Sequence, residues 1–154
     1  MKTKFLENTP AISLLRDKLQ STLVESSNWR NGEQQVVWKR KYIKGLDGRM
    51  VHVRSPHAAL NTLLQSAGAL ICKEWIVETE KLIQAEGYKH GFDGDYALMG
   101  YIHDETQWAC RTPEIANRII ELAQQAMRNV QEIFKFKCQL DTDGKIGKNW
   151  AECH

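Results

Sequence analysis

The chain has 154 residues, and 42% of them are hydrophobic, which is enough for one compact core. Its 21 basic and 19 acidic side chains give a formal net charge of +2, which excludes a polycation that coats nucleic acid unselectively. The four cysteines lack a Cys-x-x-Cys pair, and no apolar stretch approaches the roughly 20 residues that cross a bilayer. We therefore expect reduced thiols, a cytoplasmic location and no membrane role.

The first predicted element is a helix from about Pro10 to Glu25. Apolar side chains recur in it at helical spacing: Ile12, Leu15, Leu19 and Leu23. Thr9 followed by Pro10 is typical of a helix start. Residues 26–33 are polar and contain Gly32, so the sequence predicts a loop after this helix.

A hairpin is predicted next, with β segments at 35–44 and 49–54 joined through Gly45-Leu46-Asp47-Gly48. It carries six basic side chains against the single carboxylate of Asp47, a net charge of +5 between residues 38 and 54: Lys39, Arg40, Lys41, Lys44, Arg49 and Arg54. Such a cluster either contacts phosphates, with steep salt dependence, or is a solvated face. The cluster by itself favours neither interpretation.

A long helix is predicted from about His57 to Glu86, closed by Gly87. His57, Asn61 and Gln65 are spaced by four, so they project from one side of a helix that is otherwise apolar there. Amide donors could meet the acceptors that every base pair presents in the DNA minor groove. Alternatively, these side chains satisfy buried backbone groups or face water, which the stripe alone favours.

A second hairpin is predicted from two short strands, Tyr96–Ile102 and 106–110, with His103-Asp104-Glu105 at its tip. Adjacent carboxylates repel each other unless a cation or solvent screens their charges. Mg²⁺ is a cation that binds carboxylate oxygens. An acidic turn in water is the commoner case for an isolated Asp-Glu pair. The polar stripe on the long helix and the basic hairpin favour the interpretation as a metal site.

The chain ends with a predicted helix from Thr112 to about Phe134 and a last strand at 136–140. This order of elements indicates an α+β fold, an antiparallel sheet backed by long helices. Asp141 to Glu152 resembles a calcium loop only loosely, because Ile146 stands where the glycine belongs. The spacing of the cysteines with His154 does not match a zinc site.

Taken together, these residues resemble the DNA polymerase I-like (family A) polymerases, in the replicative branch of lytic bacteriophages. The resemblance covers essentially the whole chain. Ile102-His103-Asp104-Glu105 is similar to motif C of that family, and His57-Ala-Ala-Leu-Asn61-Thr-Leu-Leu-Gln65 to its long palm helix. Two further segments resemble the phage branch: Lys44-Gly-Leu-Asp-Gly-Arg49 and Gly147-Lys-Asn-Trp-Ala-Glu-Cys-His154.

The resemblance implies that Asp104 is a metal ligand, Glu105 a supporting carboxylate and His103 a contact to the primer terminus, all catalytic residues. It implies DNA contacts by six side chains: His57, Asn61, Gln65, Arg54, Lys41 and Arg40. The implied cofactor is Mg²⁺ in a two-metal site of which this chain holds one part. Implied partners are primer–template DNA, deoxynucleoside triphosphates and the remaining polymerase polypeptide with the other catalytic aspartate.

The resemblance also implies an organisation, with residues 1–55 as distal fingers plus the basic hairpin and residues 56–154 as the C-terminal half of the palm. The family's other aspartate opens an Asp-Tyr-Ser segment, which this sequence lacks. We therefore expect a separately encoded or truncated C-terminal part of a DNA-directed DNA polymerase, inactive alone in the phage-infected bacterial cell. The alternative is an inert DNA-binding relic; a small nuclease is disfavoured, since no third ligand has suitable spacing.

Overall fold

A computed structural model of the chain describes residues 8–30 and 33–153. These residues divide into two compact units, one up to Leu70 and one from Ile71 onward, so the division falls inside the longest helix. The expected boundary between fingers and palm at residues 55 and 56 stays a prediction.

The elements follow one another in the order helix, two hairpins, helix, hairpin, two helices. The helices are α1 (Pro10–Leu23), α2 (Ala59–Ala85), α3 (Pro113–Phe134) and the short α4 (Trp150–Cys153), with a 3₁₀ turn at Pro56–Ala58. The strands are β1 (Val24–Arg30), β2 (Glu33–Trp38), β3 (Tyr42–Lys44), β4 (Met50–His52), β5 (Tyr96–Ile102) and β6 (Glu105–Cys110).

In the first unit, α1 and the hairpin β3–β4 share a small core with the start of α2. Leu23 and Val53 are completely buried there, next to Ile43 and Ala59. The predicted helix was correct to within two residues at its end. The predicted strand 35–44 is instead two strands, because residues 39–41 leave the ladder and Lys39 donates its backbone N–H to the carbonyl of Leu23 at 2.8 Å.

The prediction of a loop was wrong for residues 26–30 and 33, which lie in the antiparallel strands β1 and β2, whereas residues 31 and 32 lie outside the described residues. Six of the seven residues of β1 are exposed. A strand with no buried face has no alternation of apolar and polar residues, so its sequence looks like a loop. Cross-strand backbone hydrogen bonds form this hairpin without that signal.

In the second unit, the later part of α2 packs against α3. Trp75, Ala126 and Val130 are buried in this contact, and the Trp75 indole N–H donates to the carbonyl of Ala123 at 2.8 Å. The hydroxyl of Thr112 caps α3 by accepting from the backbone N–H of Ile115. The helix runs to Phe134, as the sequence predicts.

The prediction of a strand at 136–140 was wrong. Lys135 ends α3 in the left-handed region, with a φ of 55°, and the following backbone turns back along the helix. The backbone N–H of Leu140 donates to the side chain of Gln131 at 2.8 Å. Because that N–H is already satisfied by a helix side chain, this segment joins no ladder.

The expected α+β class is confirmed, with antiparallel strands and long helices. In the described part of the chain the strands form three separate two-stranded sheets, β1–β2, β3–β4 and β5–β6. Within residues 8–30 and 33–153, no helix is long and apolar enough to span a membrane.

Candidate functional site

The hairpin β5–β6 projects the predicted catalytic residues from its turn. Its ladder runs from Tyr96 opposite Cys110 to Ile102 opposite Glu105, so the turn itself is the pair His103-Asp104. His103 has a φ of 57°, in the left-handed region that tight hairpin turns require and that histidine tolerates better than most residues. Glu105, predicted at the tip, is the first residue of β6.

The other end of β5 is anchored in the core of the second unit. Tyr96 is 2% exposed, its ring contacts those of His90 and Trp108, and its hydroxyl donates to Glu80 Oε1 on α2 at 2.8 Å. Burial, and then the nearby Glu80 carboxylate, raise the pKa of Tyr96 above its ordinary range. This anchor fixes the strand that leads into the turn.

At the turn, the polar side chains differ in their surroundings. His103 and Asp104 are exposed, whereas Glu105 is half-buried and accepts a hydrogen bond from the side-chain amide of Gln107. Exposed carboxylate oxygens are available to a cation or a nucleic-acid partner. The hairpin therefore brings together all three residues that were predicted as catalytic.

Two residues near Asp104 were missed by sequence reasoning. Burial raises the pKa of the Cys72 thiol and of the Tyr101 phenol, and the negative charge of Asp104 raises both pKa values further. The Asp104 carboxylate thus lies close enough to α2 for its charge to act there. Tyr101 could have been noticed as the aromatic residue three positions before Asp104, but no sequence signal marks Cys72.

The donors at this turn suit a hard divalent cation, since carboxylate oxygens are the ligands that Mg²⁺ takes in proteins. Asp104 and Glu105 are adjacent in the chain and both carry such oxygens. In the described part of the chain, no group of three His, Cys, Asp or Glu side chains could hold a metal ion. The residues present fit one side of a metal site, with the carboxylates of Asp104 and Glu105 as its donors.

The predicted DNA-contacting stripe lies in the first unit. His57 is in the 3₁₀ turn that precedes α2, and Asn61 and Gln65 are on the first turns of α2, all three exposed. Leu64, between the two amides, is 57% exposed. This side of the helix is therefore open to solvent, and the amide groups are not needed to satisfy a buried core.

The basic cluster is exposed at each of its six positions. The turn between β3 and β4 is closed by the backbone N–H of Gly45, which donates to the carbonyl of Arg49 at 2.7 Å. Arg49 also forms an ion pair with Asp47, whereas Lys41 lies 5.8 Å above the ring of Trp38. The hairpin thus presents a basic surface on which one cation is already matched by a carboxylate.

Comparison with known proteins gives a consistent result over the whole length. The family described as DNA polymerase family A matches residues 1–152. Over 154 residues the chain is 68% identical to the DNA-directed DNA polymerase of Enterobacteria phage T3 and 66% identical to that of Escherichia phage T7. A DNA-directed DNA polymerase of Escherichia phage Phieco32 is 26% identical over 161 residues.

All of the chain is covered in these alignments, but only 22% of the T3 and T7 proteins and 23% of the Phieco32 protein. The chain thus spans about a fifth of the length of the curated relatives that it matches.

Proposed function

Because the chain belongs to DNA polymerase family A, we propose that it supplies the Asp104 hairpin to template-directed addition of deoxynucleotides to a primer during phage DNA replication in the infected bacterial cell. Asp104 is the metal ligand, Glu105 the supporting carboxylate and His103 the contact to the primer terminus. One observation carries this proposal. A two-residue turn on a core-anchored hairpin exposes Asp104 beside the half-buried Glu105.

When bound, Mg²⁺ activates the primer hydroxyl and neutralises charge that develops on the substrate phosphates. The role of this chain is to hold the Asp104 carboxylate in a fixed position for that ion. Tyr96 and its bond to Glu80 hold β5, and the tight turn leaves little freedom between the strand end and Asp104. His103, exposed next to it, can contact the primer end.

The DNA contacts belong to the first unit. Asn61 and Gln65 present amide donors that suit the minor-groove acceptors of any base pair, which checks pair shape without reading sequence. His57 extends the same stripe by one helical turn. Arg40, Lys41 and Arg54 are exposed cations that suit the phosphate backbone.

A second catalytic aspartate is needed for a two-metal displacement, and it has to come from sequence outside these 154 residues. Asp95-Tyr96-Ala97 does not suit that role. The carboxylate of Asp95 accepts the backbone N–H of Lys89 at 2.8 Å, which closes the loop before β5. Partners are therefore primer–template DNA, deoxynucleoside triphosphates and the polymerase segment that carries the other aspartate.

A second candidate function is DNA binding without chemistry. The observation that favours it is the exposure of Asn61, Gln65 and all six side chains of the basic cluster. In that case Asn61, Gln65 and the basic cluster would hold primer–template, and Asp104 would be a solvated turn residue.

Primer extension separates the two candidates. The 154-residue chain, the matching upstream part of the phage T3 relative and their mixture are assayed in Mg²⁺, and the chain and the mixture are also assayed with Asp104→Ala. Extension by the mixture alone, lost with Asp104→Ala while DNA binding persists, supports the polymerase function. A mixture that associates and binds DNA but extends no primer supports the DNA-binding function.

A further inference from the structure

We propose that Gln107 is a positioning residue for Glu105, and that it fixes the orientation of that carboxylate beside the metal ligand Asp104. This inference rests on the proposed function. Its basis is the hydrogen bond that the Gln107 side-chain amide donates to Glu105 Oε1, two residues earlier on β6.

The two faces of β6 have separate roles. Thr106, Trp108 and Cys110 share one face, because side chains alternate along a strand, and Trp108 and Cys110 pack against the core around Tyr96. Glu105 and Gln107 share the opposite face. Core packing therefore does not impose the pairing of Glu105 with Gln107. The pair lies on the face from which the carboxylate can reach a ligand.

The opposite strand leaves room for this pairing. Gln107 stands across the ladder from Gly100, which has no side chain to compete for the same space. A Cβ built at Gly100 would meet no heavy atom within 4 Å. The side chain of Gln107 can therefore extend along its own strand towards Glu105.

This hydrogen bond restricts the orientation of the Glu105 carboxylate. An amide N–H that donates to a carboxylate makes a charge-assisted hydrogen bond, which is stronger than one between neutral groups. It occupies one oxygen, so the carboxylate is held in one rotamer and one plane. Partners of this kind around metal ligands orient the ligand, and losing one typically lowers metal affinity or activity by about 10- to 100-fold.

The test uses the associated mixture of this chain with the upstream part of the T3 relative, and it compares wild type with Gln107→Met. Mn²⁺ binding is measured by electron paramagnetic resonance, and primer extension is measured in parallel. Gln107→Met keeps the length of the side chain without the donor. The expected result is Mn²⁺ affinity weaker by about tenfold or more and a similar loss in extension rate.

Thr106→Val is the matched control. It also removes a hydrogen bond between residues two apart on β6, the one that the Trp108 indole N–H donates to Thr106 Oγ1 at 2.9 Å. Because that pair lies on the core face, both Mn²⁺ binding and extension should stay within twofold of wild type. Equal behaviour of Gln107→Met and Thr106→Val would overturn the inference.

A swap variant, Glu105→Gln with Gln107→Glu, covers the case in which Gln107→Met is poorly folded. It retains an amide–carboxylate pair but moves the carboxylate to position 107, so thermal stability should return while Mn²⁺ affinity stays low. Wild-type Mn²⁺ affinity in the swap contradicts the positioning role. Failure of the wild-type mixture both to bind Mn²⁺ and to extend primers would instead refute the proposed function itself.

Discussion

The hairpins β1–β2 and β5–β6 are alike in their ladders and opposite in their surroundings. Each pairs a strand of seven residues with one of six, antiparallel, with a single irregularity in the register. β5 begins with two buried residues, Tyr96 and Ala97, and packs on the core of its unit. β1 exposes all but its first residue, and Trp29 on it is 74% exposed.

This contrast shows that the hydrogen bonds between two strands do not by themselves hold a hairpin in one position relative to its core. A two-stranded hairpin alone is only marginally stable in water, whereas packing against a helix gives it independent stability. In β1–β2 only the end formed by Val24 and Trp38 packs against a core, whereas Tyr96, Trp108 and Cys110 all do so in the hairpin that carries Asp104. A turn that has to hold a carboxylate for a metal needs such packing, because small misplacements of a catalytic group lower the rate steeply.

The largest expected effect on stability comes from truncating one aromatic residue in each hairpin. Tyr96→Ala removes a side chain that is 2% exposed, and we expect it to cost about 3–5 kcal/mol of unfolding free energy. Trp29→Ala removes a larger but exposed ring and should change it by about 0.5 kcal/mol or less. Urea denaturation of both variants measures the difference. Similar costs at the two positions would show that burial in the core does not distinguish the two hairpins.

Tyr96→Phe isolates the hydrogen bond from the packing. The ring stays and only the bond to Glu80 Oε1 is lost, so the expected cost is about 1–2 kcal/mol. The amide of Gln84 still donates to the same oxygen at 2.7 Å, which limits the loss. Trp29→Phe is the matched change in β1, and its unfolding free energy should equal that of wild type. A Tyr96→Phe protein as stable as wild type would mean that packing alone anchors β5.

Alkaline pH should weaken the anchored hairpin. Burial raises the pKa values of Cys72 and Cys110 above their ordinary 9.0, and that of Tyr96 above its ordinary 10.0. A pKa raised on folding contributes stability that is full below the unfolded value and is lost as the pH rises through the folded value. The thermal midpoint should therefore fall above about pH 9, and Tyr96→Phe should reduce the fall above pH 10. Tyr42→Phe, at a residue that is 47% exposed, is the control and should follow wild type.

The smallest effect concerns the basic cluster in and beside the hairpin β3–β4, whose six side chains are exposed. Arg40→Gln with Lys41→Gln should reduce the slope of log affinity for duplex DNA against log salt by about two. Arg49→Gln is the matched control, because its charge is already paired with that of Asp47, and it should change the slope less. Fluorescence anisotropy at several salt concentrations gives the slopes. Equal slopes in all three proteins would show that this surface does not contact phosphates.

The elements that bury one face were predictable from the sequence. The bounds of α3 and the two strands that flank Asp104 followed from apolar periodicity and the Thr112-Pro113 start. The exposed strand β1 was missed for lack of any burial pattern. The segment 136–140 was assigned as a strand because its composition suits one, yet a side chain of α3 satisfies its backbone.

The candidate site was predictable only in part. His103, Asp104 and Glu105 are contiguous, so their proximity was secured once the hairpin was recognised. Cys72 lies on α2, where the charge of Asp104 raises the pKa of its thiol, and the bond from Gln107 to Glu105 depends on side-chain geometry. Neither interaction follows from a spacing in the sequence.

The most direct test compares two aspartates that both lie in exposed hairpin turns, Asp104 after β5 and Asp47 after β3. Primer extension is measured for Asp104→Asn and Asp47→Asn in the mixture with the upstream part of the T3 relative. We expect Asp104→Asn to lower the rate by at least about a hundredfold, since a metal ligand contributes several kcal/mol to the transition state. Asp47→Asn should stay within about threefold of wild type, which is under 1 kcal/mol. Equal rates for the two variants would contradict the claim that the β5–β6 hairpin holds a catalytic metal.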